Sequence, residues 1–103
     1  MFLDENTKIF AYNTPVDMRL GYNSLISIVM SEFENIDRCM YFLFFNEKIN
    51  NIKVMKYDGF SMEIWSKKLL FGQFEMIQEG NITKEELSHI ISSGTPLRVK
   101  KAV

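Results

Sequence analysis

Apolar residues in the first third of the chain recur at helical spacing. Met18, Tyr22, Leu25, Ile26, Val29 and Phe33 share one stripe about 100° wide, which predicts a core-facing helix. The helix is expected to begin at Met18 or slightly earlier and to run to about Glu34. Thr14 would cap it, Pro15 would occupy the first turn, and Asp17 would sit third, near the positive end of the helix dipole. On this reading Gly21 falls inside the helix on its outer side. A glycine there costs about 1 kcal/mol relative to alanine, and helix formation supplies no reason for it. Arg19 lies at the margin of the stripe, placed to pair with an acid such as Asp58 or to meet a phosphate.

The pattern then changes period. "KIFAY" (8–12), upstream of the helix, reads as a short strand closed by the turn signal Asn13-Thr14-Pro15. "MYFLFF" (40–45) is a continuous apolar run, as expected of a strand covered on both faces. "NEKINN" (46–51) is polar and reads as a loop. Asp58-Gly59 between "IKVMKY" (52–57) and "FSMEIW" (60–65) is the preferred signal for a two-residue hairpin turn. Phe60, Met62 and Ile64 should face one way, and Ser61, Glu63 and Trp65 the other. Gly72 interrupts the next segment, leaving "QFEMI" (73–77) as an expected last strand. "NITKEELSHIISSG" (81–94) reads as a short helix with a Thr83/Glu86 capping box. Leu87, Ile90 and Ile91 should face inward, and Gly94 with Pro96 beyond should end it.

These elements predict an α+β domain: a small antiparallel sheet with a central Asp-Gly hairpin. One helix from the N-terminal half and one short C-terminal helix pack on it, both against one face. Its 103 residues leave room for one domain only, 1–103, with 95–103 as a frayed tail.

Composition supports a packed chain. Hydrophobic residues make up 47 % and aromatics 14 %, too apolar for a disordered segment. No apolar run approaches the roughly 20 residues that span a bilayer. The N-terminus carries acids where a secretory signal has a basic region, so a cytoplasmic location is expected. The net charge is −1, whereas nucleic-acid-binding domains are usually strongly basic. From Lys48 to Lys68, however, five lysines face two acids, a local charge of +3. Electrostatics there permits nucleic-acid contact without requiring it.

No catalytic set assembles from these residues. One cysteine, Cys39, excludes an intramolecular disulfide, and with His89 as the sole histidine a Cys/His zinc site within one chain is excluded too. Cys39 reads as a small buried hydrophobe more readily than as a reactive thiol, and His89 as a solvated helix residue. Glu85-Glu86 suit the helix N-terminus they occupy. No cofactor is expected, nor any metal; a divalent ion held by Asp17 and Asp58 is the one metal arrangement worth naming. The more informative set is Lys53, Lys56, Tyr57 and Trp65, with Lys67 and Lys68 following. Aromatic stacking combined with phosphate-directed lysines is one way to hold a single strand. Against this, Trp65 reads more readily as closing the second side of the sheet against the C-terminal helix.

Two ordered blocks carry a family resemblance. The first is "VDMRLGYNSL" (16–25); the second is "YFLFFNEKINNIKVMKYDGFSMEIWSKKLLFGQF" (41–74). Together, over about residues 8–75, they resemble the small TnpB proteins, second-open-reading-frame products of IS-sixty-six-family insertion sequences. These are unrelated to the RNA-guided nucleases also called TnpB. Asp17, Met18, Arg19 and Gly21, then Ile52-Lys53, Tyr57-Asp58-Gly59, Trp65, Lys67-Lys68-Leu69, Gly72 and Phe74 fall in register. Three departures stand out. "NEKINN" replaces an arginine-rich loop, Ser61 replaces a second glycine, and Lys-Lys-Leu replaces Lys-Arg-Leu. Each lysine gives up arginine's bidentate fork for phosphate.

The resemblance implies a non-enzymatic accessory protein in DNA transposition, with the element's transposase, its DNA ends, or both as partners. Arg19, Lys53, Lys56, Lys67 and Lys68 are then the candidates for phosphate contact, and Tyr57 and Trp65 for stacking or docking. Asp17, Met18, Gly21, Asp58, Gly59, Leu69, Gly72 and Phe74 would be structural residues of the family pattern. The alternatives are a stabiliser that binds the transposase without DNA, and a metal-dependent nuclease using Asp17 and Asp58.

Overall fold

The computed structural model describes residues 7–32, 40–76 and 80–94. In chain order the elements are β1 (Lys8–Ala11), α1 (Tyr22–Glu32), β2 (Met40–Phe45), β3 (Asn51–Tyr57), β4 (Met62–Lys68), β5 (Gly80–Ile82) and α2 (Lys84–Ser92). The strands form one sheet in the order β4-β3-β2-β1-β5, an α+β arrangement. All pairs are antiparallel except β1–β2. Those two run parallel because α1 lies between them, and a crossover returns the chain in its original direction.

The run "MYFLFF" becomes β2, with both neighbours hydrogen-bonded to it and both faces covered. Strand alternation splits the core in two. Tyr41 and Leu43 join Ile9, Ala11, Ile52 and Val54 beneath Leu87 and Ile90 of α2. Met40, Phe42 and Phe44 join Tyr12 and Met55 beneath Leu25 and Val29 of α1. The two helices therefore cover opposite faces, not one. A central strand that is apolar on both sides needs a cover on each side.

The helix over 18–34 is shorter at its start than expected: α1 begins at Tyr22. Thr14 does not cap it, and its hydroxyl donates to the Asn13 carboxamide oxygen instead. Asp17 draws the backbone into a turn, accepting from the Arg19 N–H at 2.8 Å while its carbonyl takes the Leu20 N–H. Local side-chain acceptance of this kind competes with helix propagation. The first helical bond runs from the Leu25 N–H to the Gly21 carbonyl, so Gly21 stands at the N-cap. Met18 consequently belongs to the loop before the helix. Phe33, Glu34 and Cys39 lie outside the described residues.

The second helix agrees with its sequence. Thr83 accepts from the Glu86 N–H at 3.0 Å, and the Glu86 carboxylate accepts from the Thr83 N–H at 2.8 Å. Leu87 and Ile90 are buried and Ile91 packs beside them. Ser93 rather than Gly94 caps its end, and Pro96 lies outside the described residues. The expected strand at 73–77 is absent from 74–76, with Gln73 making an isolated bridge. The last strand is instead Gly80–Ile82, whose Ile82 lies opposite Ile9. Three residues suffice there because Ile82 reaches the α2-side core.

Candidate partner and nucleic-acid surface

The loop before α1 is tied to the sheet at both ends. The Val16 N–H donates to the Phe45 carbonyl at the end of β2. The Lys53 ammonium, from β3, donates to the Leu20 carbonyl at 2.8 Å. Between these anchors the Arg19 guanidinium folds back on Asp17, with Nη2 2.6 Å from Oδ2 and Nε within 3.1 Å of both carboxylate oxygens. These side-chain bonds, aided by the backbone one, hold the Asp17 carboxyl down at about 2. The same pairing raises the Arg19 pKa. Arg19 therefore neutralises its own neighbour, and Asp58 is not its partner.

Asp58 opens the β3–β4 connection. Tyr57 lies opposite Met62, so the connection comprises residues 58–61. The Asp58 carboxylate accepts from the N–H groups of Phe60 and Ser61 and from the Ser61 hydroxyl, which lowers its pKa. Gly59 has φ +91°, a left-handed conformation that favours glycine. Phe60 is left 99 % exposed in this loop, not on the inward face. Met62 and Ile64 do face the α1 side, and Trp65 the α2 side.

The loop before α1 meets the start of β3, while Asp58 follows its end. Strand rise puts the length of β3, about 20 Å, between Asp17 and Asp58. The two carboxylates cannot share an ion. Among the described residues no three His, Cys, Asp or Glu side chains come together as a metal-ligand group.

The sheet also divides the other candidate residues. Lys53 and Tyr57 lie on the α1 side, Lys56, Trp65 and Lys67 on the α2 side. No single aromatic and basic surface therefore contains Lys53, Lys56, Tyr57 and Trp65. Lys56 stands 3.7 Å from the Glu63 carboxylate across the strand pair. Trp65 packs on the core beneath α2. The Lys67 ammonium donates to the Ile91 carbonyl at 2.9 Å and lies 6.0 Å from the Phe74 ring centroid. A cation at the carbonyl end of a helix satisfies an orphan acceptor and complements the dipole.

Leu69, Gly72 and Phe74 fold the chain after β4 back along the 46–50 loop. The Leu69 N–H donates to the Asn50 carbonyl and the Phe74 N–H to the Ile49 carbonyl. Gly72 makes the bend with φ +91°, and Phe74 is buried. His89 is exposed, with Nε2 2.9 Å from the Glu75 carboxylate.

Two features escaped the sequence reading. Asn46 braces its loop by accepting from the N–H groups of both Asn50 and Asn51, a role that short polar side chains signal before a turn. More consequential is an open groove of about 850 Å³ between the 15–18 loop and the 46–50 loop with the start of β3. Lys48 and Lys68 stand in its wall beside Asp17, Glu47 and Asn51, whose Oδ1 is buried without a partner among the described residues. Such mixed charge suits a polar peptide surface better than a phosphate backbone. No helix among the described residues is long and apolar enough to cross a membrane.

In comparison with known proteins, the family model described as IS66 Orf2 like protein matches residues 7–101. Neither a curated protein nor a solved structure matches. With nearly the whole chain covered, the protein belongs to the IS66 Orf2-like family, whose members have an accessory role in transposition.

Proposed function

We propose that this chain is a non-enzymatic accessory factor in the transposition of an insertion sequence, and that it acts on the element's transposase mainly through protein contacts. The family match over residues 7–101 carries the reading. The emphasis on protein contact comes from the state of the cations. Lys53 and Lys67 each donate to a main-chain carbonyl, and Arg19 and Lys56 each face a carboxylate. A phosphate would have to share those cations with partners already in place, which lowers the net gain from each contact. The groove is the surface we assign to the transposase. The two sequence blocks that carried the family resemblance converge on it, Asp17 and Met18 from the first, Lys48, Asn51 and Lys68 from the second.

A pull-down with the transposase, with and without terminal-repeat DNA, tests this. Capture is expected without DNA and is expected to weaken in a Lys48→Glu/Lys68→Glu variant. Failure to capture transposase, together with no shift of end DNA at low salt, would sink the proposal. Capture that strictly needs DNA would instead move the leading role to nucleic-acid contact.

A further inference from the structure

Among the described residues, strand β4 forms one edge of the sheet. The Leu69 N–H donates to the Asn50 carbonyl, and the Ser61 carbonyl accepts from the Asp58 N–H. In an antiparallel ladder these two anchors turn the backbone groups of Glu63, Trp65 and Lys67 toward β3 as well. The N–H and C=O groups of Met62, Ile64, Ser66 and Lys68 therefore point out of the sheet. Phe60 lies beyond one end of this edge, 99 % exposed, and Leu70 beyond the other, 84 % exposed.

Natural sheets blunt such an edge with charge, often lysine, or with proline. Here the acid sits toward one end and the lysines toward the other, so the strand is complementary to its own reverse. With a twofold axis at Trp65, Glu63 lies opposite Lys67, Ile64 opposite Ser66, Met62 opposite Lys68, and Phe60 opposite Leu70. Only registers that bring outward groups together are allowed, and the two nearest others lose the match. Centred on Ile64, Phe60 meets Lys68; centred on Ser66, it meets Gly72 and Glu63 meets Leu69. Lys67 keeps its bond to Ile91, since an ammonium has three donors.

The geometry points to a second copy of this chain as the occupant of the β4 edge, added antiparallel about a twofold at Trp65. The added ladder joins two five-stranded sheets into one. Main-chain bonds supply affinity, and the Glu63–Lys67 and Phe60–Leu70 oppositions fix the register.

Sedimentation equilibrium on the full chain is the test. A dimer is expected, with its dissociation constant raised about tenfold or more by Ser66→Pro. That change removes two outward N–H donors per dimer and none of the β3 bonds. Glu63→Lys, which sets lysine against lysine, should weaken the dimer as well. Far-UV circular dichroism checks that each variant is folded; if Ser66→Pro is not, Glu63→Lys and the exposed-loop change Phe60→Ser decide. A strictly monomeric wild type overturns the proposal, as does a dimer whose affinity the folded variants leave unchanged. Register is read by mixing a Glu63→Cys chain with a Lys67→Cys chain, both also Cys39→Ser. A disulfide favoured in the mixture over either chain alone is expected, and its absence from a dimeric mixture overturns the assigned register.

Discussion

The Lys53 ammonium lies 2.8 Å from the Leu20 carbonyl oxygen, joining the first half of β3 to the loop that precedes α1. The partners are 33 residues apart, and the bond puts a lysine from the basic central segment to structural use.

Replacing Lys53 with methionine keeps most of the aliphatic stem and removes the donor. Stability is expected to fall by about 1–2 kcal/mol, the scale of a charge-assisted hydrogen bond in a half-buried site. Urea denaturation measures the loss, and hydrogen exchange should show faster opening at residues 16–25 than in β2. An unchanged exchange pattern would show that the tether does not hold the loop.

The Asp17–Arg19 pair sets a pH dependence whose sign is fixed. The Asp17 carboxyl drops from an ordinary 3.8 to about 2 in the folded chain, chiefly through the Arg19 side chain. A lowered carboxyl pKa contributes stability present above the unfolded value and lost as pH falls through the folded one. The turn should therefore loosen between about pH 4 and pH 2. An NMR titration of the Asp17 carboxyl is expected to show a midpoint near 2 that moves back toward 3.8 in Arg19→Ala.

Gly21 offers a test by sign. Inside a helix, Gly21→Ala would gain about 1 kcal/mol. At the N-cap, where alanine is much poorer than glycine, the same change should cost about 0.5–1 kcal/mol, and Gly21→Ser should gain a few tenths. Thermal melts of the two variants separate the positions; a more stable alanine variant would put Gly21 back inside the helix.

Lys67 and Lys68 are neighbours with different work. Lys67→Met should destabilise by about 1–2 kcal/mol, because the end of α2 loses its cation. Lys68→Ala, at an exposed position, should stay within about 0.5 kcal/mol. If end DNA is bound through Lys68, the slope of log affinity against log salt should fall by about one in Lys68→Ala, with the stability unchanged.

How far the sequence could be read depended on the range of the interactions. The β2 run, the Thr83–Glu86 capping box and the buried face of α2 were legible because each is set by composition or by contacts three or four residues apart. The start of α1 was misplaced because the apolar stripe extends to Met18, while the Asp17 carboxylate claims a backbone donor that a helix would need. The strand at 73–77 was expected from apolar content, which cannot distinguish a strand from a segment folded back to bury Phe74. For the candidate surface, alternation within β3 already parts Lys53 and Tyr57 from Lys56. It cannot place Trp65, whose side depends on its pairing with Val54.

The sequence by itself determined the α+β class, the central two-faced strand, the second helix and the family, all of which rest on local pattern or ordered motifs. Tertiary structure alone decided the parallel β1–β2 pair and the placement of the helices on opposite faces. It also decided that Lys53 and Lys67 bond to carbonyls of distant elements. The physical reason is that pairing order and register are fixed by contacts between residues far apart in the chain, and each lysine's partner exists only once those contacts have formed.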